Sequence, residues 1–204
     1  MLQTCILSRY CEGEFQRQYY PTYGVDFLRR RTNIQGDRYV TLIIWDVSGH
    51  AIKSSMLDKY LYGANIVLLV FDITNLSSFI HINDWMNAVR KFQITTPPVM
   101  AIIANKCKII LFTGDMEHQR AVSVDKQVRL ANDNGYSAHS VSARTGENVN
   151  ISLQRICAET LGIRLSRVEQ EAQQSVVTAE IVAPPISPLH RGVHLQPSTI
   201  CLIQ

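Results

Sequence analysis

Three short apolar runs rich in β-branched residues constrain the fold of this chain most. They cover residues 40–47, 66–73 and 99–105, and each ends at or beside a polar side chain. Runs of this length and composition are typical of strands buried on both faces. Helical patterns with apolar residues three or four apart separate them, and strand–helix alternation predicts an α/β fold with a mostly parallel sheet.

Further elements complete the pattern. Residues 27–33 predict a more polar edge strand and residues 139–143 a short last strand, with Ser77 and Ser78 as helix N-caps and Gly135 and Gly162 as helix ends. The predicted helices cover residues 54–62, 77–92, 125–134 and 148–161. Since ligands of such sheets sit at the carboxyl ends of strands, a site is expected beside the last residues of these runs.

The composition excludes several functional classes. A length of 204 residues suits one domain with a tail, and a net charge of +3 without a basic run argues against nucleic-acid binding. Five cysteines without CxxC spacing favour a reduced cytosolic compartment, and six histidines without ligand spacing predict no His/Cys metal site. No apolar stretch is long enough to span a membrane.

The segment 39–50 carries the first chemical signal. Its apolar run delivers Asp46, and Gly49 follows three residues later. A carboxylate there could hold Mg²⁺, and a glycine N–H could meet a phosphate oxygen because no Cβ blocks the approach. An ordinary Asp-x-x-Gly turn after a core strand explains the same residues, and both interpretations stay open on this segment alone.

Three more motifs follow in a fixed order at strand ends. They are Thr-Tyr-Gly-Val-Asp-Phe at residues 22–27, Asn105-Lys106, and Val-Ser-Ala-Arg-Thr-Gly at residues 141–146. With the Asp-x-x-Gly segment they make the chain resemble a Rab-type small GTPase of the Ras superfamily. Residues 26–30, 56–64, 71–75 and 159–163, together with the final Cys-Leu-Ile-Gln at 201–204, resemble the CaaX-terminated Rab twenty-eight branch most. The resemblance implies a P-loop NTPase-like domain over residues 1–163, a hypervariable flexible tail over 164–200 and a CaaX box over 201–204.

The resemblance also assigns roles to residues. Thr22 and Asp46 would serve Mg²⁺ and the terminal phosphate of GTP, and His50 stands at the catalytic position where the family has Gln, which predicts slow hydrolysis. Asn105 and Lys106 would bind the base, with the N–H of Ala143 meeting the guanine carbonyl. The implied nucleotide-binding set is Thr22, Asp46, Gly49, Asn105, Lys106, Asp115, Ser142, Ala143 and Arg144.

The chain departs from the family pattern in two further places. The phosphate-loop motif G-x-x-x-x-G-K-[ST] does not occur in it, and residues 1–5 resemble the helix that follows that loop. We therefore expect the first strand to be missing, two central strand edges to be unpaired, and nucleotide binding to be impaired. Residues 108–114 resemble an insertion, of real or gene-model origin, that separates Asn105-Lys106 from the base-binding Asp115.

The last four residues resemble a CaaX box, which implies farnesylation of Cys201. The chain would then reach the cytoplasmic face of membranes reversibly, helped by a prenyl-binding carrier, with the cilium or basal body as the compartment of the resembled branch. Effector and regulatory proteins would bind residues 22–27 and 45–63. Two functions follow: a GTP/GDP-dependent switch in vesicle trafficking, or a nucleotide-free, prenyl-anchored interaction module. A nicotinamide-binding enzyme is disfavoured, because the G-x-G-x-x-G motif that such an enzyme requires follows no predicted strand of this chain.

Overall fold

Strands and helices alternate along the chain, and the predicted α/β fold is confirmed. The computed structural model describes residues 2–15, 21–36, 38–92, 96–107, 120–165 and 198–203. Its elements in chain order are α1 (Leu2–Glu12), β1 (Val25–Gln35), β2 (Arg38–Val47), a 3-10 helix (Gly49–Lys53), α2 (Leu57–Leu61), β3 (Ile66–Asp72), α3 (Leu76–Lys91), β4 (Val99–Asn105), α4 (Val124–Asn134), β5 (Ser137–Ser140), α5 (Val149–Thr160) and β6 (Ser198–Ile203).

The six strands form one sheet in the order β1-β2-β6-β3-β4-β5. Only β1 and β2 pair antiparallel, while the other neighbouring pairs are parallel. Every residue of β3 is buried, as its continuous apolar run predicts for a central strand covered on both faces. The carboxyl ends of β2, β3 and β4 therefore lie along the same edge of the sheet.

Helices cover both faces of the sheet. One core cluster contains Ile6 and Tyr10 of α1 and Leu153 of α5, packed with strand residues such as Leu68. The other contains Leu61 of α2, Trp85 of α3 and Ala131 of α4. Among the described residues, no helix has both the length and the apolar character needed to cross a membrane.

The expectation of two unpaired central edges is wrong. Strand β6 lies between β2 and β3 and pairs parallel with both. Residues 198–200, predicted as part of a flexible tail, belong to this strand together with residues 201–203. Unpaired N–H and C=O groups at two buried edges are costly, and the β-prone sequence Ser-Thr-Ile-Cys-Leu-Ile can satisfy them.

Several local predictions also need correction. Asn75, rather than Ser77 or Ser78, caps α3, because its side chain accepts a hydrogen bond from the N–H of Ser78. Strand β5 ends at Ser140, three residues before the predicted end. The segment 54–62 contributes only the short α2, because residues 54–56 form a bend and turn after the 3-10 helix.

The predicted helix ends at Gly135 and Gly162 are confirmed. Both glycines have positive φ, 70° and 66°, directly after α4 and close after α5. This left-handed conformation is the usual way in which a glycine ends a helix.

Candidate functional site

A carboxylate and two hydroxyl groups meet at the carboxyl end of β2. Asp46 is fully buried, and its Oδ2 accepts hydrogen bonds from Thr4 Oγ1 at 2.7 Å and from Thr22 Oγ1 at 3.2 Å. The two threonine oxygens lie 3.2 Å apart. The structure therefore brings the predicted Thr22 and Asp46 together and adds Thr4 of α1, which the sequence analysis did not single out.

The same carboxylate keeps one oxygen without a hydrogen-bond partner. Asp46 Oδ1 is buried and unpaired among the described residues. Since buried polar atoms are normally satisfied, such an atom marks a place for a water or a cation. Carboxylate and hydroxyl oxygens are the ligands that Mg²⁺ prefers, so Asp46 and Thr22 fit the predicted metal role. The described residues contain no group of three or more His, Cys, Asp or Glu side chains that could hold a metal ion.

The segment after β2 is fixed to the segment before β1. The N–H of Ser48 donates to the carbonyl oxygen of Gly24 at 2.8 Å, and Ser48 Oγ accepts from the N–H of His50 at 3.4 Å. Gly49 and His50 are exposed at the start of the 3-10 helix. Both are therefore accessible to a ligand near Asp46.

A second set of predicted residues meets at the carboxyl ends of β4 and β5. Asn105 is buried, and its Oδ1 accepts from the N–H of Lys106 at 2.7 Å and from the N–H of Ala143 at 3.0 Å. The resemblance predicts that the N–H of Ala143 binds the guanine carbonyl. In this structure the same N–H donates to Asn105. Asn105 thereby ties together the two loops that the base-binding prediction needs.

The loop of residues 142–146 is a tight turn closed by its own backbone. The N–H of Gly146 donates to the carbonyl oxygen of Ser142 at 2.8 Å, and Ser142 Oγ accepts from the N–H of Thr145 at 3.3 Å. Ser142 and Ala143 are buried, whereas Arg144 is exposed. Ser142 therefore stabilises this loop through both its carbonyl oxygen and its hydroxyl.

Lys106 is positioned by an acidic partner at the end of β3. Its Nζ forms an ion pair with Asp72 Oδ2, and its side chain is 41% exposed. Asp72 Oδ1 accepts from the N–H and the hydroxyl of Thr74 at 2.9 and 2.7 Å. Lys106 itself has a φ of 72°, a conformation that few non-glycine residues adopt without tertiary support. The ion pair and the left-handed backbone together fix the direction of the lysine stem.

Helix α1 connects the two halves of the site. Thr4 contacts Asp46. About one and a half turns further along, Arg9 donates through Nε to the carbonyl oxygen of Ala143 at 3.0 Å and through Nη2 to that of Arg144 at 2.8 Å. Burial raises the pKa of the Cys5 thiol, which lies between Thr4 and Arg9 on α1.

Sequence reasoning missed Thr4, Arg9 and the role of Asp72. Asp72 could have been found from the sequence, because it lies at the end of a predicted buried strand. In the structure it pairs with Asn105 in the parallel register. No sequence pattern distinguishes Thr4 and Arg9, because Thr and Arg are ordinary surface residues of a helix. Their roles depend on which loops the fold brings next to α1. The predicted Asp115 and the proposed insertion lie outside the described residues, and Cys201 is described only through the backbone of β6.

An aromatic cluster lies across β1, β2 and α2. The rings of Phe27 and Trp45 meet edge to face with centroids 4.9 Å apart, and Tyr60 lies 6.5 Å from Trp45. Phe27 is 58% exposed, and Tyr23 and Tyr62 are exposed nearby in sequence. Exposed aromatic side chains at one surface are typical of protein-binding sites.

Comparisons with known proteins point to one family. A model of the Ras family matches residues 3–162. The Ras-related protein Rab-28 of Caenorhabditis elegans is 36% identical over 185 residues, covering 90% of this chain and 72% of the relative. The Ras-related protein Rab-4 of Dictyostelium discoideum is 33% identical over 168 residues, covering 82% and 77%, and Rab-13 of Canis lupus familiaris is 28% identical over 159 residues, covering 78% and 74%.

Proposed function

Because the chain belongs to the Ras family and is a Rab-type small GTPase, we propose that it acts as a guanine-nucleotide-dependent switch in vesicle trafficking. One observation carries the proposal. Asn105 holds the N–H of Ala143 at the ends of β4 and β5, while α1 joins this point to Asp46 and Thr22 at the end of β2. The residues to which we assign base binding and Mg²⁺ binding are thus connected through α1.

Each half of the site has a chemical role. Asn105, Lys106 and Ala143 would orient the base, the lysine stem would cover the purine face, and Ser142 and Arg144 would support the loop. Asp46 and Thr22 offer oxygen ligands, and a Mg²⁺ bound there would neutralise charge on the phosphate oxygens. Gly49 would offer its N–H to the terminal phosphate, and His50 would take the catalytic position at which the family has Gln.

Binding by the 204-residue polypeptide is proposed to be weak. The motif G-x-x-x-x-G-K-[ST], whose N–H groups and lysine normally hold the β- and γ-phosphates, does not occur in these residues. We expect a Kd for fluorescent GDP, with excess Mg²⁺, weaker than about 1 μM, or a binding free energy below about 8 kcal/mol.

A fluorescence titration of this polypeptide tests both parts of the proposal. Bound fluorescent GDP should be displaced by unlabelled GDP and retained in the presence of ADP. Nanomolar affinity would contradict the proposed impairment. Displacement by ADP as readily as by GDP would contradict the proposed base site itself.

The partner surface is proposed to be the aromatic cluster of Phe27, Trp45 and Tyr60. Its three residues lie within the segments 22–27 and 45–63. The first segment is linked to Asp46 through the hydrogen bond of Thr22. Occupation of the nucleotide site would therefore be communicated to effector and regulatory proteins at this surface. Farnesylated Cys201 would add reversible membrane association, helped by a prenyl-binding carrier, since one lipid chain gives only marginal anchoring.

A second candidate function is a nucleotide-free interaction module. The observation in its favour is that Asp46 Oδ2, Asn105 Oδ1 and Lys106 Nζ all have partners within the chain. Such a module would use the aromatic cluster without a ligand. Retention of effector binding after removal of all nucleotide distinguishes it from the switch.

A further inference from the structure

A basic surface continues from the aromatic cluster along one face of the antiparallel pair β1–β2. Because side chains alternate between the two faces of a strand, Phe27, Arg29 and Arg31 form one row on the same face of β1. Both arginines are exposed, and neither forms an ion pair with a carboxylate of the described residues. The acidic residues of the two strands, Asp26 and Asp46, lie on the opposite face by the same alternation. The row is therefore apolar at one end and positively charged at the other.

The neighbouring row on β2 supports the arginines. Ile43 pairs with Arg29 across the strands, and the guanidinium carbon of Arg31 lies 4.9 Å from the ring centroid of Tyr39. A guanidinium stacked on an aromatic ring is restricted in its motion and still offers the N–H groups in its plane. Arg31 is therefore held ready to donate to a carboxylate.

The opposite face of β1 is already covered by helices of the chain. Helices α1 and α5 both contact β1. Leu28 and Ile34 pack with the core cluster that contains Tyr10 of α1, and the guanidinium carbon of Arg30 lies 4.1 Å from the centroid of the Tyr10 ring. Arg30 is thus used within the fold, whereas Arg29 and its row remain accessible to another protein.

We propose that Phe27, Arg29 and Arg31 bind an acidic amphipathic helix of a protein partner. Alternate residues of a strand are about 6.6 Å apart, and residues four apart on a helix are about 6 Å apart on one face. A helix along the row can therefore place an apolar residue on Phe27 and acidic residues, four and eight positions away from it, on the two arginines. The inference rests on the proposed partner surface and names the chemistry of the partner.

The size of the charged surface favours a protein over a lipid membrane. Recognition of anionic lipids uses clusters of about four to eight basic residues, and this row has two. Two guanidinium groups instead suit two carboxylates, which accept paired hydrogen bonds from the planar fork. Complementary charge at an interface contributes more to partner choice and to the association rate than to affinity. Arg29 and Arg31 are therefore specificity-determining residues beside the aromatic cluster.

Selection of helical peptides tests the chemistry of the partner. Alanine-rich helices with randomised positions on one face are displayed on phage and selected on the full chain, with excess GTP and Mg²⁺ and again without nucleotide. We expect enriched peptides to carry Asp or Glu four and eight positions from an apolar residue. Enriched peptides without an excess of acidic residues, or no enriched peptide under either condition, would overturn the proposal.

Charge exchange locates the binding site. At about 50 mM salt, the Arg29→Glu/Arg31→Glu chain should bind an enriched peptide at least about tenfold more weakly. Lys126→Glu/Arg129→Glu on α4 is the matched control with the same change in net charge, and it should alter binding less than about twofold. A peptide with Lys in both acidic positions should prefer the Arg29→Glu/Arg31→Glu chain. Equal losses in both variants, or no such preference, would contradict the proposal.

The nucleotide conditions separate this inference from the proposed switch. If GTP and Mg²⁺ leave the peptide affinity unchanged, the switch fails and the interaction module is favoured. The charge-exchange result still decides whether the row selects acidic helices, because it compares variants under one nucleotide condition.

Discussion

Removal of the Arg9 side chain tests how α1 supports the base-binding loop. The guanidinium donates to the carbonyl oxygens of Ala143, Arg144 and Gly13 at 3.0, 2.8 and 2.6 Å. Its stem packs on Gly146, where an added Cβ would lie 3.4 Å from Arg9 Cδ. Arg9→Ala therefore removes three charge-assisted hydrogen bonds and the packing that covers the loop.

The expected loss of stability follows from the exposure of each bond. The bond to Ala143 is partly buried, and hydrogen bonds to charged groups contribute about 1.5–3 kcal/mol. The bonds to Arg144 and Gly13 are exposed and contribute little more than a few tenths of a kcal/mol each. We therefore expect Arg9→Ala to lower the free energy of unfolding by about 2–3 kcal/mol.

Urea unfolding measured by circular dichroism gives this free energy through linear extrapolation. Arg129→Ala is the matched control, because Arg129 is exposed on α4, and it should change stability by less than about 0.5 kcal/mol. Arg9→Lys should recover only part of the loss, since an ammonium cannot reproduce the planar fork. A loss in Arg9→Ala no larger than that in Arg129→Ala would refute the supporting role of α1.

Two further predictions concern buried groups. Asn105→Ala removes the acceptor of the N–H groups of Lys106 and Ala143. We therefore expect it to lower the free energy of unfolding in urea by about 2–4 kcal/mol. A loss below about 1 kcal/mol would contradict the role of Asn105 in connecting the two loops. Burial, with a smaller effect of Arg155, lowers the pKa of His139 from 6.5 to about 4, so the unfolded chain binds more protons between these values. The free energy of unfolding should therefore fall by at most about 3 kcal/mol as the pH drops from 6.5 toward 4. His139→Gln should remove this pH dependence, whereas the control His81→Gln on α3 should retain it.

The parts of the fold visible in the sequence are those set by local pattern. The runs that became β2, β3 and β4 are apolar and β-branched, because strands buried on both faces require it. Their polar terminal residues then fall at the sheet edge where Asp46, Asp72 and Asn105 are found. Thr22 was placed beside Asp46 only through the family resemblance.

Tertiary placement explains what the sequence could not reveal. Strand β6 follows a proline-containing stretch, and only the open edges of β2 and β3 give its six residues a partner. Arg9 acts on residues more than 130 positions away along the chain, which no periodicity within a helix can indicate. The end of β5 was misplaced because residues 141–143 continue in an extended-looking sequence although the turn at Ser142 is already formed.

The most direct test of the proposed switch is the response of individual backbone amides to nucleotide. In a ¹⁵N-labelled sample with excess Mg²⁺, GDP should shift the amide resonances of Lys106 and Ala143, and ADP at the same concentration should leave them in place. Weak binding does not prevent this measurement, because shifts are observed at ligand concentrations well above a micromolar Kd. Unchanged resonances with GDP, or equal shifts with ADP, would contradict a guanine-binding site at the ends of β4 and β5.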